Sequence, residues 1–275
     1  MKISMMSYTL ARGEWGKNPD IERLCRFTRE LGLDGVDWVT LYGREAGEVR
    51  RIMDDHGLKT VCYTFFVDLN FPEAELRRPG LEELKRGVET AVQLGTDKVM
   101  LPIRSKPEFS RDESRRHVIE GLKEGVRFAA EAGVRLSVEH FPDPRSPFVV
   151  SADVNQALRE IPELGVTFDS GNVLTGGEDP VAGFLKSKDR VIHAHFKDWV
   201  RTEGAPGRAG LDGKFYQPAL VGEGIVDHRS VLEAMHQAGY RGYLNLEYEG
   251  NLYPPEAAME KGLRFLNGLL ESLPD

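Results

Sequence analysis

The sequence predicts an α/β protein built as a single (β/α)8 barrel, the TIM-barrel architecture, over residues 1–275. Three observations support this class. First, eight short apolar or alternating segments are typical of strands, and a longer helix-like segment follows each of them. Second, this strict alternation favours parallel βα units. Third, no GxGxxG follows the first strand, as the dinucleotide site of an open doubly wound sheet would require.

The predicted elements follow one another in order along the chain. The strands are short runs dominated by aliphatic, aromatic or β-branched residues, and they cover residues 3–8, 35–39, 60–65, 98–102, 135–141, 166–169, 191–197 and 243–248. The helices lie between them or after the last strand, over residues 19–31, 45–56, 80–94, 112–132, 151–160, 180–187, 228–238 and 254–273. Eight units in 275 residues fit one closed barrel.

Five of the helix-like segments end with a glycine shortly before the next strand. These residues are Gly32, Gly57, Gly95, Gly133 and Gly239. A helix commonly ends on a residue with left-handed backbone geometry, and glycine adopts that geometry at no steric cost. The repeated pattern therefore predicts five helix ends of the same kind. The longest stretch without such order, residues 199–227, is glycine-rich and predicts an irregular functional loop at the carboxyl end of the barrel.

Composition excludes several classes of protein. The net charge is -8, from 36 basic and 44 acidic side chains, with no basic stripe, so nucleic acid and anionic membranes are not expected partners. The two cysteines do not support a disulfide framework or a structural zinc cluster. No segment has the roughly 18 apolar residues of a membrane span, and the first residues enter a strand pattern directly. A cytoplasmic location is expected.

Four acid or imidazole side chains stand at or near the ends of four predicted strands, namely Glu139, Asp169, His195 and Glu247. Successive strand side chains point to opposite faces, so each of the four shares the inward phase of its strand. One such residue alone could be a helix cap or a loop residue. Buried together, carboxylates need a cation or water to be tolerated. The four residues are therefore predicted to hold a metal ion.

The ligand types indicate which metal to expect. Three carboxylates and one imidazole form a hard ligand set that suits Mn²⁺, Mg²⁺ or Co²⁺, with Zn²⁺ also open. Mn²⁺ is the expected ion. Four protein ligands on an octahedral ion leave two positions for substrate oxygens, such as those of an α-hydroxy carbonyl group.

Three further polar residues near these ligands are candidates for substrate binding. His193 shares the inward face of its strand, and could be a ligand, a partner that orients one, or a packed interior histidine. Asn172 could contact a substrate hydroxyl or simply form the turn after Asp169. Lys197 could polarise a carbonyl group, or balance the charge of Asp169 or Glu249.

Taken together, these segments resemble the xylose isomerase-like TIM barrels, and among them the sugar-phosphate isomerase/epimerase proteins. The resemblance covers essentially the whole chain and is most specific at SVE 137–139, FDSGN 168–172, HAHFKD 193–198, GEG 222–224 and LE 246–247. It implies that Glu139, Asp169, His195 and Glu247 are the metal ligands. By analogy with the ketose 3-epimerases, it also implies that Glu139 and Glu247 are the catalytic acid and base.

The resemblance has two departures at substrate-binding positions. Those epimerases have a histidine shortly after the ligand aspartate, whereas this chain has Asn172. Their arginine six residues after the ligand histidine is matched loosely by Arg201, which makes Arg201 a candidate substrate-binding residue. The ending of the HAHFKD segment is closer to the broader isomerase and inositol-dehydratase-like members. The family also implies a homo-oligomer.

The expected function is a divalent-metal-dependent isomerase or epimerase of a small sugar or keto-polyol, acting by proton transfer through a metal-stabilised enediolate. An inosose-type dehydratase could use the same site, since the same enediolate can expel a β-hydroxyl group. A barrel that binds a metabolite without turnover is a third alternative. A DNA-repair endonuclease is disfavoured, because the ends of strands 2 to 4 have no extra histidines and the chain is acidic.

Overall fold

Eight parallel strands close into a barrel in the computed structural model, which describes residues 1–204 and 207–274. The barrel strands are β1 Lys2–Met6, β2 Gly35–Val39, β3 Lys59–Thr64, β4 Lys98–Leu101, β5 Arg135–Glu139, β6 Gly165–Asp169, β7 Val191–Phe196 and β11 Tyr243–Leu246. Strand β1 pairs with both β2 and β11, which closes the sheet. The predicted fold class is confirmed. Residues 205, 206 and 275 lie outside the described part of the chain.

The helices surround this barrel and bury apolar side chains against it. They are α1 Ser7–Leu10, α2 Ile21–Glu30, α3 Ala46–Asp55, α4 Ala74–Leu94, α5 Arg111–Glu131, α6 Ser151–Glu160, α7 Ser170–Thr175, α8 Pro180–Ser187, α9 His228–Gln237 and α10 Pro255–Glu271. Short 3-10 turns occupy Gly13–Trp15 and Lys188–Arg190. Among the described residues, every helix is too short or too polar to cross a membrane.

Helix α4 begins six residues earlier than the sequence predicted, before Pro79 and Gly80 rather than after them. Proline disrupts a helix interior, so the pair indicated a helix start. Tertiary packing overrides that preference. A Cβ atom on residue 80 would lie 2.1 Å from the carbonyl oxygen of Asp68, so only glycine lets the helix pass this loop so closely.

The five predicted helix ends are confirmed. Gly32, Gly57, Gly95, Gly133 and Gly239 all have positive φ, between 63° and 78°. Left-handed geometry at these positions lets each helix stop and the chain turn directly into the next strand.

The predicted irregular loop at residues 199–227 is instead partly ordered as an antiparallel sheet. Its strands are β8 Asp198–Thr202, β9 Arg208–Ala209 and β10 Phe215–Ala219, with β10 in the centre. The glycines that indicated a loop lie in its turns and connections. The Asp198 carboxylate holds the segment that follows β10 in place. It accepts hydrogen bonds of 3.0–3.1 Å from the backbone N–H groups of Gly222, Gly224 and Val226. The GEG segment is therefore a turn held by an aspartate.

The alternation of strand side chains divides the barrel into two environments. The outward residues Val138, Phe168, Ala194 and Leu246 are fully buried between sheet and helices. The inward residues are mostly polar. Ser137 and Thr167, for example, share a hydrogen bond of 2.8 Å inside the barrel. Buried polar groups that pair with one another are tolerated, so the barrel interior can support ionisable groups at its carboxyl end.

Candidate metal centre and substrate cavity

Four neighbouring strands bring the predicted ligands to one end of the barrel. Glu139 and Asp169 are the last residues of β5 and β6, His195 lies in β7, and Glu247 follows β11 directly. The register sets Asp169 beside His195. All four side chains are buried, with 0 to 7% of their surface exposed. The structure therefore brings the four residues together, as the shared inward phase predicted.

The distances group three of these side chains closely, and Glu247 lies beside His195. His195 Nδ1 lies 3.6 Å from Glu139 Oε2 and 3.7 Å from Glu247 Oε2. Ligand atoms of Glu139, Asp169 and His195 all lie within 4.8 Å of one another. Within the described part of the chain, Asp169 Oδ2 and both His195 ring nitrogens have no hydrogen-bond partner. Buried polar atoms without partners are costly, and a divalent cation among them would satisfy several at once.

The orientation of Asp169 depends on the turn that follows it. Asp169 is the N-cap of α7, and its Oδ1 accepts the N–H groups of Gly171 at 2.9 Å and Asn172 at 2.8 Å. Its second oxygen, Oδ2, remains available to the centre. The Asn172 amide, only 1% exposed, also has no partner for either of its polar atoms in the described structure. The helix start thus fixes one predicted ligand and presents one polar side chain to the cavity.

Lys197 balances the charge of this acidic cluster, one of the two roles predicted for it. Its Nζ lies 2.9 Å from Glu247 Oε1, 3.0 Å from Glu249 Oε1 and 3.6 Å from Asp169 Oδ2. Glu249 in turn accepts a bond of 2.7 Å from Arg208 of β9, so the small sheet contributes a cation to the same network.

Burial shifts the pKa values of the carboxyl groups and of the imidazole in opposite directions. It raises the pKa of Glu139 to about 7, raises the pKa of Glu247 and Asp169, and lowers the pKa of His195 to about 3. Burial alone would lower the pKa of Lys197, but the neighbouring carboxylates raise it well above its usual value. His195 is therefore neutral, as a metal-binding imidazole must be, and Lys197 is charged.

A cavity of about 310 Å³ opens above these groups. Its polar side contains Glu139, Asn172, His195, Lys197, Glu247 and Glu249. The opposite side is mostly apolar and includes Met6, Val39, Phe66, Met100 and Pro102. Arg104 and Arg208 also line it, and the Arg104 guanidinium lies 3.9 Å from the centre of the Phe66 ring. The cavity can hold a small molecule with one reactive polar edge.

Two of the predicted substrate-binding residues lie away from this cavity. His193 does not line the cavity, because it lies two residues deeper in β7 and donates a hydrogen bond to Asp37 in the barrel interior. Arg201 lies in β8 opposite Tyr216 and lines a separate depression with Asp212. The arginine that reaches the cavity from this sheet is Arg208, which the glycine-rich sequence gave no reason to select.

Asp37 is a residue of the site that sequence reasoning missed. It is fully buried in β2, and its carboxylate approaches both His193 and His195. The available signal was a single acid in an otherwise apolar strand, GVDWV, since an acid is rarely fully buried without a partner.

The fold belongs to a defined class of barrel. The family model of the xylose isomerase-like TIM barrel matches residues 25–269, and the chain belongs to this family. An inosose dehydratase of Klebsiella pneumoniae (strain 342) is 31% identical over 265 residues, which cover 86% of this chain and 85% of that protein. The rhizopine catabolism protein MocC of Rhizobium meliloti is 29% identical over 260 residues, covering 86% of this chain and 77% of that one.

Solved structures agree on the fold. The IolI protein with a bound zinc atom superposes with a TM-score of 0.81 at 15% identity and covers 100% of both chains. An L-ribulose 3-epimerase superposes with a TM-score of 0.80 at 16% identity, covering 98% of this chain and 95% of that one. At these identities the likeness supports the architecture alone. The similar proteins of known activity include enzymes that act on small sugars or polyols.

Proposed function

We propose that this protein is a divalent-metal-dependent enzyme that moves a proton at the carbon next to the carbonyl group of a small sugar or keto-polyol. One observation carries the proposal. The carboxylates of Glu139 and Glu247 flank the same nitrogen of His195 at 3.6 and 3.7 Å, beside a cavity of about 310 Å³. Two carboxyl groups at one point can serve as a base and an acid for one substrate.

The proposed metal ligands are Glu139, Asp169, His195 and Glu247, with Mn²⁺ as the expected ion and Mg²⁺, Co²⁺ or Zn²⁺ as alternatives. The atoms of Asp169 and His195 that have no hydrogen-bond partner among the described residues support this assignment. A divalent cation bound there supplies Lewis acidity, which makes the proton next to a coordinated carbonyl group easier to remove.

Glu139 and Glu247 exchange the proton in this proposal. Burial raises the pKa of both carboxyl groups, and that of Glu139 to about 7, so Glu139 can change protonation state near neutral pH. One carboxylate takes the proton and the other carboxylic acid returns one. Return to the opposite face inverts the carbon, and return to the neighbouring carbon isomerises the sugar. Asn172, buried at the cavity edge with no partner for either amide atom among residues 1–204 and 207–274, is the proposed contact for a substrate hydroxyl.

Dehydration is the second candidate, and two observations favour it. Relatives at up to 31% identity are inosose dehydratases. In addition, the charged Lys197 ammonium lines the cavity and forms an ion pair with Glu247 at 2.9 Å. Once Glu247 or Glu139 has removed the proton, a cationic donor at this place can give a proton to a departing β-hydroxyl group, which leaves as water.

Incubation of Mn²⁺-loaded protein with an inosose and with ribulose in D₂O tests the proposal. Deuterium at the carbon next to the carbonyl group, detected by NMR, is expected for either reaction. A deuterated epimer or isomer identifies the first candidate, and loss of water to an unsaturated or diketone product identifies the second. No exchange with a panel of ketoses and inososes, in protein that binds Mn²⁺, would leave a metabolite-binding barrel as the better interpretation.

A further inference from the structure

A buried carboxylate lies on the inner side of the candidate metal ligands, in the barrel interior. Asp37, in β2, has no exposed surface. Its Oδ1 accepts a hydrogen bond of 2.8 Å from Ser4 Oγ, and Ser4 Oγ accepts one of 3.2 Å from Asn245 Nδ2. Its Oδ2 accepts a hydrogen bond from His193 Nε2. Both oxygens of this carboxylate are therefore fixed by groups on two other strands, β1 and β7.

The same Oδ2 atom faces His195. It lies 3.8 Å from His195 Nε2, while His195 Nδ1 faces Glu139 and Glu247 on the other side of the ring. The imidazole thus lies between two carboxylate environments, one at the cavity and one in the interior. His193 and His195 meet edge to face, with ring centroids 5.2 Å apart, so the His193 ring limits how His195 can turn.

The chemistry of imidazole assigns different roles to its two nitrogens. A neutral ring has one N–H donor and one lone pair, and the nitrogen that binds a cation must supply the lone pair. If Nδ1 is the ligand atom, Nε2 must hold the proton and needs an acceptor. Asp37 Oδ2 is the carboxylate oxygen that faces Nε2 in the described structure. A shift of less than about 1 Å brings the pair to hydrogen-bond distance.

We propose that Asp37 is a positioning residue that accepts the Nε2 proton of His195 and thereby presents the Nδ1 lone pair to the metal ion. This inference rests on the metal site of the proposed function. It adds one interior carboxylate, that of Asp37, to the site as the support of one ligand. Asp37 does not line the cavity, so it contacts neither substrate nor the reacting atoms.

A competing assignment uses the same residues. Ligand atoms of Asp37, Cys62 and His193 lie within 4.8 Å of one another, as in a second metal site. The hydrogen bond between Asp37 and His193 argues against it, since the carboxylate oxygen and the ring nitrogen nearest each other are already paired. The number of metal ions bound per chain separates the two assignments.

The test combines a Zn²⁺ titration with NMR, neither of which measures turnover. Calorimetry of the unmutated protein is expected to give one Zn²⁺ per chain. The Asp37→Asn variant is expected to bind it about 10- to 100-fold more weakly, the usual cost of removing such a partner. Ser4→Ala is the matched control, because it removes a bond to the opposite oxygen of Asp37 and leaves Oδ2 in place. It is expected to bind Zn²⁺ almost as tightly as the unmutated protein.

Histidine ¹⁵N NMR of the unmutated Zn²⁺-loaded protein needs no variant to fold. A protonated Nε2 and a metal-bound Nδ1 on His195 are expected. A metal-bound Nε2 overturns the inference, as does unchanged Zn²⁺ affinity in a folded Asp37→Asn variant. Two Zn²⁺ per chain, with one lost in Asp37→Asn, make Asp37 a ligand and also overturn it. No Zn²⁺ or Mn²⁺ bound to the unmutated protein overturns the metal-dependent function itself, which separates that failure from the others.

Discussion

The two halves of the barrel differ in the side chains that they present to the cavity. Strands β5, β6, β7 and β11 end in ionisable groups, among them Glu139, Asp169, His195 and Glu247. Strands β1 to β4 and the residues that follow them contribute mostly apolar atoms, such as those of Met6, Val39, Met100 and Pro102. One half holds the groups that can carry out chemistry, and the other half mainly sets the shape of the space for substrate.

This difference has an energetic consequence. The apolar half gains stability from burial, whereas the ionisable half pays a desolvation cost that raises the pKa of Glu139 and Glu247. Lys197 offsets part of that cost through contacts of 2.9 Å with Glu247 and 3.0 Å with Glu249. Changes in the ionisable half should therefore affect catalysis, metal binding and stability together, and changes in the apolar half should affect substrate binding and packing without affecting metal binding.

The largest effect is expected from Glu139→Gln and Glu247→Gln. Each change removes both a proposed ligand and a proposed proton-transfer group, so turnover should fall about 10²- to 10⁴-fold and Mn²⁺ affinity should fall with it. Glu249→Gln is the matched control, because Glu249 contacts Lys197 and Arg208 but is not a proposed ligand. It should keep its Mn²⁺. Steady-state kinetics and metal analysis on all three variants decide this, and equal metal loss in all three would contradict the ligand assignment.

The next effect is on stability. Lys197→Met removes the cation from among Asp169, Glu247 and Glu249, and leaving buried charges uncompensated costs roughly 3–5 kcal/mol. Urea unfolding in EDTA should show this loss, and added Mn²⁺ should restore much of it because the ion supplies the missing positive charge. Lys261→Met, at a half-exposed lysine 3.8 Å from Glu223, should change stability by less than about 0.5 kcal/mol. A loss equally large with and without Mn²⁺ would argue against a cation site.

Much of the ionisable half was predictable from the sequence, for a physical reason. Alternation along a strand is a local property, and closure of a barrel places the ends of adjacent strands side by side. Knowing the phase of Glu139, Asp169 and His195 was therefore enough to predict that they meet. The same holds for the five glycine helix ends, because left-handed geometry is encoded at single positions.

The features that sequence reasoning missed depend on contacts between distant segments. Arg208 reaches Glu249 only because β8, β9 and β10 pair across a region that is rich in glycine, and Arg201 points elsewhere through the register of the same sheet. Asp37 lies 156 positions from its partner His193. Neither the pairing nor the partner has a local signal, so these roles require the folded structure.

A third effect concerns pH in the metal-free protein. Burial raises the folded-state pKa of Glu139 to about 7 from a usual value of 4.5. Because the protonated carboxyl group is favoured in the folded state, its contribution to the free energy of unfolding is complete below pH 4.5 and is lost as the pH rises through 7. The loss is on the order of 3 kcal/mol. Urea unfolding in EDTA at pH 5, 6 and 7 should show this decline. The decline should be shallower in Glu139→Gln, which cannot ionise, and an unchanged slope in that variant would contradict the assignment.

The smallest effect is expected in the apolar half. Phe66→Ala removes a ring that lines the cavity and supports the Arg104 guanidinium at 3.9 Å, so KM should rise roughly 10-fold, the usual scale for lost apolar pocket contacts. Mn²⁺ affinity and kcat should hardly change, since Phe66 is not among the proposed ligands. Leu185→Ala, on α8 outside the cavity, is the matched control and should leave KM unchanged. A Phe66→Ala variant that loses Mn²⁺ as well would show that the two halves are not independent, because shape and charge would then be coupled through the cavity wall.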